Sequence, residues 1–155
     1  MNESIRLLPY KETIAKLSLE EKSEGWIVWC EDNGVFQYPV VEWIDIIAET
    51  IGKTGSTKNL EIASGNGLIG NAINEAGVPI LLSDLKNKKE SENLDAENAL
   101  MKFNPDLVFT CWVPFDSDID SLILNYPTVS WYLTVMQAGP GFIGNESIWN
   151  SPGWN

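Results

Sequence analysis

Residues 60–70 read LEIASGNGLIG, and this run constrains the chain more than any other stretch. Apolar residues lead into Gly65, Gly67 and Gly70, and apolar residues at helical spacing follow. That order predicts a strand, a tight turn and a helix. Backbone N–H groups then collect at a helix N-terminus, where a ligand can be held. The same letters admit two readings. As G-x-G-x-x-G, the run has the spacing used for dinucleotides. As E-x-A-x-G-x-G from Glu61, it sets a carboxylate where a pyrophosphate would be repelled and a cationic group attracted.

The flanking segments predict what this turn is built into. Residues 9–24 read as an amphipathic helix with Pro9 in its first turn. Asn33-Gly34, between aromatic residues, predicts a hairpin or a loop capping a pocket. In YPVVEWIDIIAETIG, the residues Val40, Ile44, Ile47, Ala48 and Ile51 share one helical face, and Gly52 is the expected stop. From there strands and helices alternate. Strands are expected at 59–63, 78–83, 106–112 and 128–136, and helices at 67–76, 96–103 and 117–125. Residues 86–93 read as a charged loop. Apolar strands alternating with helices predict an α/β fold, with a parallel sheet covered on both faces. One domain spans residues 1–155 in this reading. Its N-terminal part, 1–38, is a helix plus an aromatic hairpin or lid, and 39–155 is the core.

Composition narrows the chemistry. The chain has no histidine, which excludes Ser-His-Asp and Cys-His catalysis and leaves acid–base work to carboxylates, Tyr, Lys, Cys or water. Cys30 and Cys111 lie far apart, so neither a structural zinc site nor any other metal centre is expected, and a reducing, cytoplasmic setting fits. The formal net charge is −12, and no basic residue follows Lys102, so nucleic acid is not an expected partner. No apolar run is long enough to span a membrane, so none is expected as a partner.

Asp84 ends the second predicted strand. An acidic side chain there can accept from both hydroxyls of an adenosine ribose, which serves NAD and S-adenosylmethionine alike. With Glu61 as the discriminating residue, NLEIASGNGLIGNAINEAGVPILLSDL resembles the first motif and second strand of class I S-adenosylmethionine-dependent methyltransferases. Glu61, Gly65 and Gly67 match the family pattern, and Ala63 stands where it has its first glycine. The resemblance extends over roughly residues 38–149. It implies a Rossmann-like, doubly wound, mostly parallel sheet, here with its C-terminal strands short or missing, because few residues follow Met136. It also implies a cofactor site at Glu61, Ala63, Ser64, Gly65, Gly67 and Asp84. Asp95 and Ala96 would flank the adenine, and Cys111 would lie at the end of the fourth strand. Trp112 and Pro114 occupy the family's fourth-motif positions, and Asp116 just beyond is the candidate base for a small-molecule or protein acceptor. Trp112 reads equally as a core residue, Asp116 or Ser117 as the N-cap of the helix at 117–125, and Asp118 and Asp120 as a solvated first helical turn. A sheet edge left exposed would invite homodimerisation. Two other functions stay open: an NAD-binding oxidoreductase domain, and a non-catalytic methyltransferase-like interaction module.

Overall fold

The computed structural model describes residues 7–19, 39–86, 91–114 and 117–136. In chain order the elements are α1 (Tyr10–Leu19), α2 (Val41–Thr54), β1 (Asn59–Ile62), α3 (Leu68–Glu75), β2 (Leu81–Asp84), β3 (Glu92–Asn93), α4 (Ala96–Phe103), β4 (Leu107–Cys111), α5 (Ile119–Leu124) and β5 (Trp131–Val135). The strands form one five-stranded sheet in the order β3-β2-β1-β4-β5, and every pairing is parallel. This α/β arrangement is compatible with a Rossmann-like fold. The predicted aromatic hairpin at Asn33-Gly34 and the segment after Met136 lie outside the described residues.

Alternation along the strands divides the core in two. Leu107 and Phe109 join Ile44, Ile47 and Ile51 of α2 and Ile69 and Ile73 of α3 in one cluster. Val108, between them, joins Leu60, Ile62, Ala96, Ala99 and Leu100 of α4 and Ile123 of α5 in the other. Successive strand side chains point to opposite faces, so helices pack against both sides of the sheet. The central strand β1 is buried at all four positions, as a parallel strand covered on both faces requires. The α1 helix is tied to α2 where the Tyr10 N–H donates to Glu42 Oε2 at 2.8 Å.

Several bounds differ from those the sequence predicts: β2 starts at Leu81 rather than at residue 78, β5 at Trp131 rather than at residue 128, and α5 is shorter at both ends. The α2 helix continues through Gly52 and closes at Gly55, whose φ of 72° is the left-handed conformation that ends a helix. Gly52 falls on the exposed side, where a missing side chain costs propensity but not packing. The charged segment expected as a loop contributes β3, whose two residues pair with Ser83 and Asp84. Both β3 side chains are exposed, so no hydrophobic alternation announces it.

Gly70 is a glycine for reasons of packing. It lies in the first turn of α3 directly over β1 and β2, and a Cβ there would collide with Leu82 Cδ2 and Glu61 Oε2. Alanine favours an exposed helix by about 1 kcal/mol over glycine. Here the collision wins, and Gly70→Ala is expected to lower stability by about 1–3 kcal/mol in urea denaturation. An unchanged or raised midpoint would mean that α3 does not sit this close to the sheet.

Candidate functional site

All strands run the same way, so their C-terminal ends share one edge of the sheet. The described residues assigned to the cofactor site and the fourth motif are at that edge: Glu61 near the end of β1, the loop 63–67 after it, Asp84 at the end of β2, Asp95 and Ala96 after β3, and Cys111, Trp112 and Pro114 at the end of β4. Asp116 lies outside the described residues. The chain passes from β3 to β4 across β2 and β1, so β1 and β4 flank the point where strand order reverses. Crevices at such points are the usual ligand sites of open parallel sheets.

The loop is held by its own backbone. The Ser64 N–H donates to Ser83 O at 3.1 Å, tying the loop to β2, and the Gly67 N–H donates to Ser64 O at 2.9 Å. Gly65 and Gly67 have φ of 58° and 80°, and Gly67 is the N-cap of α3. Asn66 Oδ1 accepts from the Leu68 N–H at 3.1 Å, satisfying one of the first-turn donors. Asp84 completes the frame. Its Oδ2 accepts from the Gly65 N–H at 2.9 Å and its Oδ1 from the Lys86 N–H at 2.7 Å.

Two non-glycine residues at this edge adopt left-handed backbone: Ala63 (φ 59°) and Trp112 (φ 56°). A Cβ in that region costs roughly 1–2 kcal/mol, so the fold imposes strain at the ends of β1 and β4. Ala63 packs against the cluster that contains Leu60 and Ile62. The Trp112 N–H donates to Val135 O at 2.9 Å, which fixes the chain as it leaves β4.

Glu61 occupies a place its sequence position does not reveal. It is 1% exposed and lies beneath the first turn of α3. Burial pushes its carboxyl up to about 8, the Gly70 N–H draws it part of the way back, and the Asp84 charge adds to the rise. Among the described residues its buried Oε2 has no hydrogen-bond partner. Glu61 is therefore mainly uncharged at neutral pH, and the electrostatic preference inferred for it as a carboxylate needs correction. Burial and the Glu61 charge push the neighbouring Cys111 thiol up to about 12, so it is a poor nucleophile.

Asp95 is the N-cap of α4. Its Oδ1 accepts from the Asn98 N–H and its Oδ2 from Asn98 Nδ2, both at 2.8 Å. Ala96 is buried against β1, and Pro114 is exposed. Asp120, expected in a solvated turn, is instead 1% exposed. Tyr132 Oη donates to its Oδ1, and the same hydroxyl lies 2.9 Å from Thr110 Oγ1, which donates to Thr134 Oγ1 at 2.9 Å. Burial and Asp120 raise the Tyr132 pKa. The clue was available: Asp120 and Ile123 are three apart and share the buried face of α5.

Compared with family models, curated proteins and solved structures, the chain matches none of them.

The Glu61 environment has a thermodynamic consequence. Its folded pKa, about 8, lies above its ordinary value of 4.5, so the native state holds the proton more tightly. Its contribution is therefore full below pH 4.5, declines as pH rises towards about 8 and then levels, an interval worth roughly 4–5 kcal/mol. Glu61→Gln is expected to remove this decline and to be the more stable protein above pH 8 in urea denaturation. Parallel pH dependences for the two proteins would show that Glu61 titrates normally.

Proposed function

We propose that the chain is a class I S-adenosylmethionine-binding, methyltransferase-like protein, acting on a small molecule or a protein side chain. The reading rests above all on the hydrogen bond between Asp84 of β2 and the Gly65 N–H, in the loop after β1 that borders the reversal of strand order. It joins the glycine loop to the acidic residue one strand away, the pair that an adenosine-bearing cofactor would span. The sheet order also supports it, since β3-β2-β1-β4-β5 is the order expected of a doubly wound, Rossmann-like core. In this reading the loop 63–67 faces the methionine part of the cofactor, Asp84 the ribose, and the start of α4 at Asp95-Ala96 the adenine.

Methyl transfer from a sulfonium is an in-line displacement, for which positioning supplies much of the acceleration. The chain's own contribution would be a rigid loop, strained at Ala63 and pinned by Asp84, that holds donor and acceptor in line. Trp112 would stack on a planar acceptor or attract a cationic one. Asp116 would take the proton of an amine or hydroxyl acceptor. Glu61, neutral before binding, would lose its proton as a cationic group approached, because a nearby positive charge lowers a carboxyl pKa.

One set of observations favours a second reading, a non-catalytic interaction module of the same fold. Both Asp84 oxygens already accept backbone N–H groups, and Ala63 carries a side chain in a left-handed turn where the family pattern has glycine.

Calorimetric titration separates these readings. S-adenosylhomocysteine is expected to give saturable heat, with affinity lowered about tenfold or more in Asp84→Ala. With S-adenosylmethionine at neutral pH, the heat should vary with buffer ionisation enthalpy, reporting a released proton, and Glu61→Gln should abolish that variation. Tighter binding of NADH would overturn the assignment in favour of a dinucleotide. Silence with both ligands at millimolar concentration would favour the non-catalytic module.

A further inference from the structure

The opposite edge of the sheet carries a cavity of about 370 Å³. Three chain turns enclose it: the approach to β1 at Thr57–Asn59, the approach to β2 at Pro79–Leu81, and the passage from α4 to β4 at Phe103–Pro105. Its volume falls in the lower part of the range that takes small organic ligands. None of its lining residues belongs to the cofactor site proposed above.

The walls are braced from inside. Asn59 is buried, its Nδ2 donates to Pro79 O at 2.9 Å, and its Oδ1 accepts from Ser56 Oγ at 2.6 Å. Asn74 holds Ile80 from both sides, accepting its N–H and donating to its carbonyl at 2.9 Å. Thr57 Oγ1 donates to Asp106 Oδ2 at 3.2 Å, and the Thr57 and Lys58 N–H groups also donate to that carboxylate. Prolines at two corners bring no N–H donor. The Asn59, Asn74 and Thr57 side chains of the walls are thus engaged with the protein, and the cavity does not depend on a ligand for its shape.

What remains for a ligand is apolar surface and one cation. Ile80, Leu81, Phe103 and the two prolines form the apolar part, and Leu81 is left 51% exposed. Among the described residues, Lys58 is the sole charged one lining the cavity, and its ammonium makes no ion pair. Lys102 lies over the Phe103 ring at 5.1 Å, but it is paired with Glu92 at 2.9 Å. The Asp106 carboxylate beside Lys58 accepts three hydrogen bonds from Thr57 and Lys58, which hold its pKa low and turn its oxygens to the backbone.

We propose that this cavity is a second binding site, for a small apolar or aromatic monoanion. The hydrocarbon body lies against Leu81, Ile80 and Phe103, and the acid group faces Lys58. The acid supplies the counter-charge that Lys58 lacks among the described residues, and the body covers exposed apolar surface such as that of Leu81.

Naphthoate and its neutral isostere naphthamide test this on the full chain, with binding followed by fluorescence and by amide-resonance shifts. Naphthoate is expected to saturate at sub-millimolar concentration and to shift the Lys58, Leu81 and Phe103 resonances. It should bind about fivefold tighter than naphthamide, the ratio a partly exposed ion pair sustains. Lys58→Gln should remove that ratio while keeping naphthamide binding, and Leu81→Asp should abolish both. Both positions are exposed, so unchanged circular dichroism is expected of each variant. S-adenosylhomocysteine should leave naphthoate binding unaltered. Absence of saturation at millimolar naphthoate, equal affinity for the two probes, or insensitivity to Lys58→Gln would each overturn the proposal.

Discussion

Between the central strand and the first turn of α3, a protonated Glu61 carboxyl and the Leu82 side chain fill the space that a Cβ of Gly70 would need. Most of the C-terminal edge depends on that contact. Because Gly70 has no side chain, α3 can lie close to β1 and β2. Close approach puts the N-terminus of α3 directly after β1, so only a short, strongly bent loop can join them. The bend forces left-handed backbone at Ala63, Gly65 and Gly67. It also brings the Gly65 N–H within reach of Asp84 on the next strand. A buried, neutral acid under a helix start is therefore the foundation of the loop as well as a candidate part of a site.

The two edges of the sheet differ in how their polar groups are used. At the C-terminal edge, strain and buried titratable groups concentrate. Ala63 and Trp112 hold positive φ, Glu61 and Cys111 are both pushed up, and Asp120 is bound to Tyr132 in a buried polar network reaching Thr110 and Thr134. Strain of this kind persists only where the surrounding structure over-determines it, and it gathers at functional positions. At the N-terminal edge, Asn59, Asn74 and Asp106 spend their hydrogen bonds on bracing turns, leaving a preformed apolar hollow with a lysine on its rim. One edge is tuned electrostatically and the other shaped sterically.

The Asp120–Tyr132 pair shows how a helix of ordinary appearance can hide an ionisable group. Three acidic residues precede and open α5, and by composition they look like a solvated helix start. The sheet lies beneath, however, and the turn that buries Ile123 necessarily buries Asp120. The Tyr132 hydroxyl, carried on β5, supplies the partner without which the burial would be costly. No local pattern links residues 120 and 132; adjacency of β4 and β5 and the packing of α5 over them do.

The sequence by itself determined the α/β class, the alternation of strands and helices, the position of the glycine loop and the boundaries of α4, because periodicity and turn chemistry are local properties of the chain. It also identified Gly65, Gly67 and Asp84 as a group, since the length of one strand–helix–strand unit sets their spacing. The tertiary structure alone decided strand order, which makes β1 and β4 the strands flanking the reversal. It decided too that β3 exists, its two exposed residues being held by pairing with β2 rather than by any pattern of their own. Above all it decided the charge of Glu61. A glutamate reads as a carboxylate in any sequence, and only the depth of its burial beneath α3 makes the neutral acid the favoured form at neutral pH.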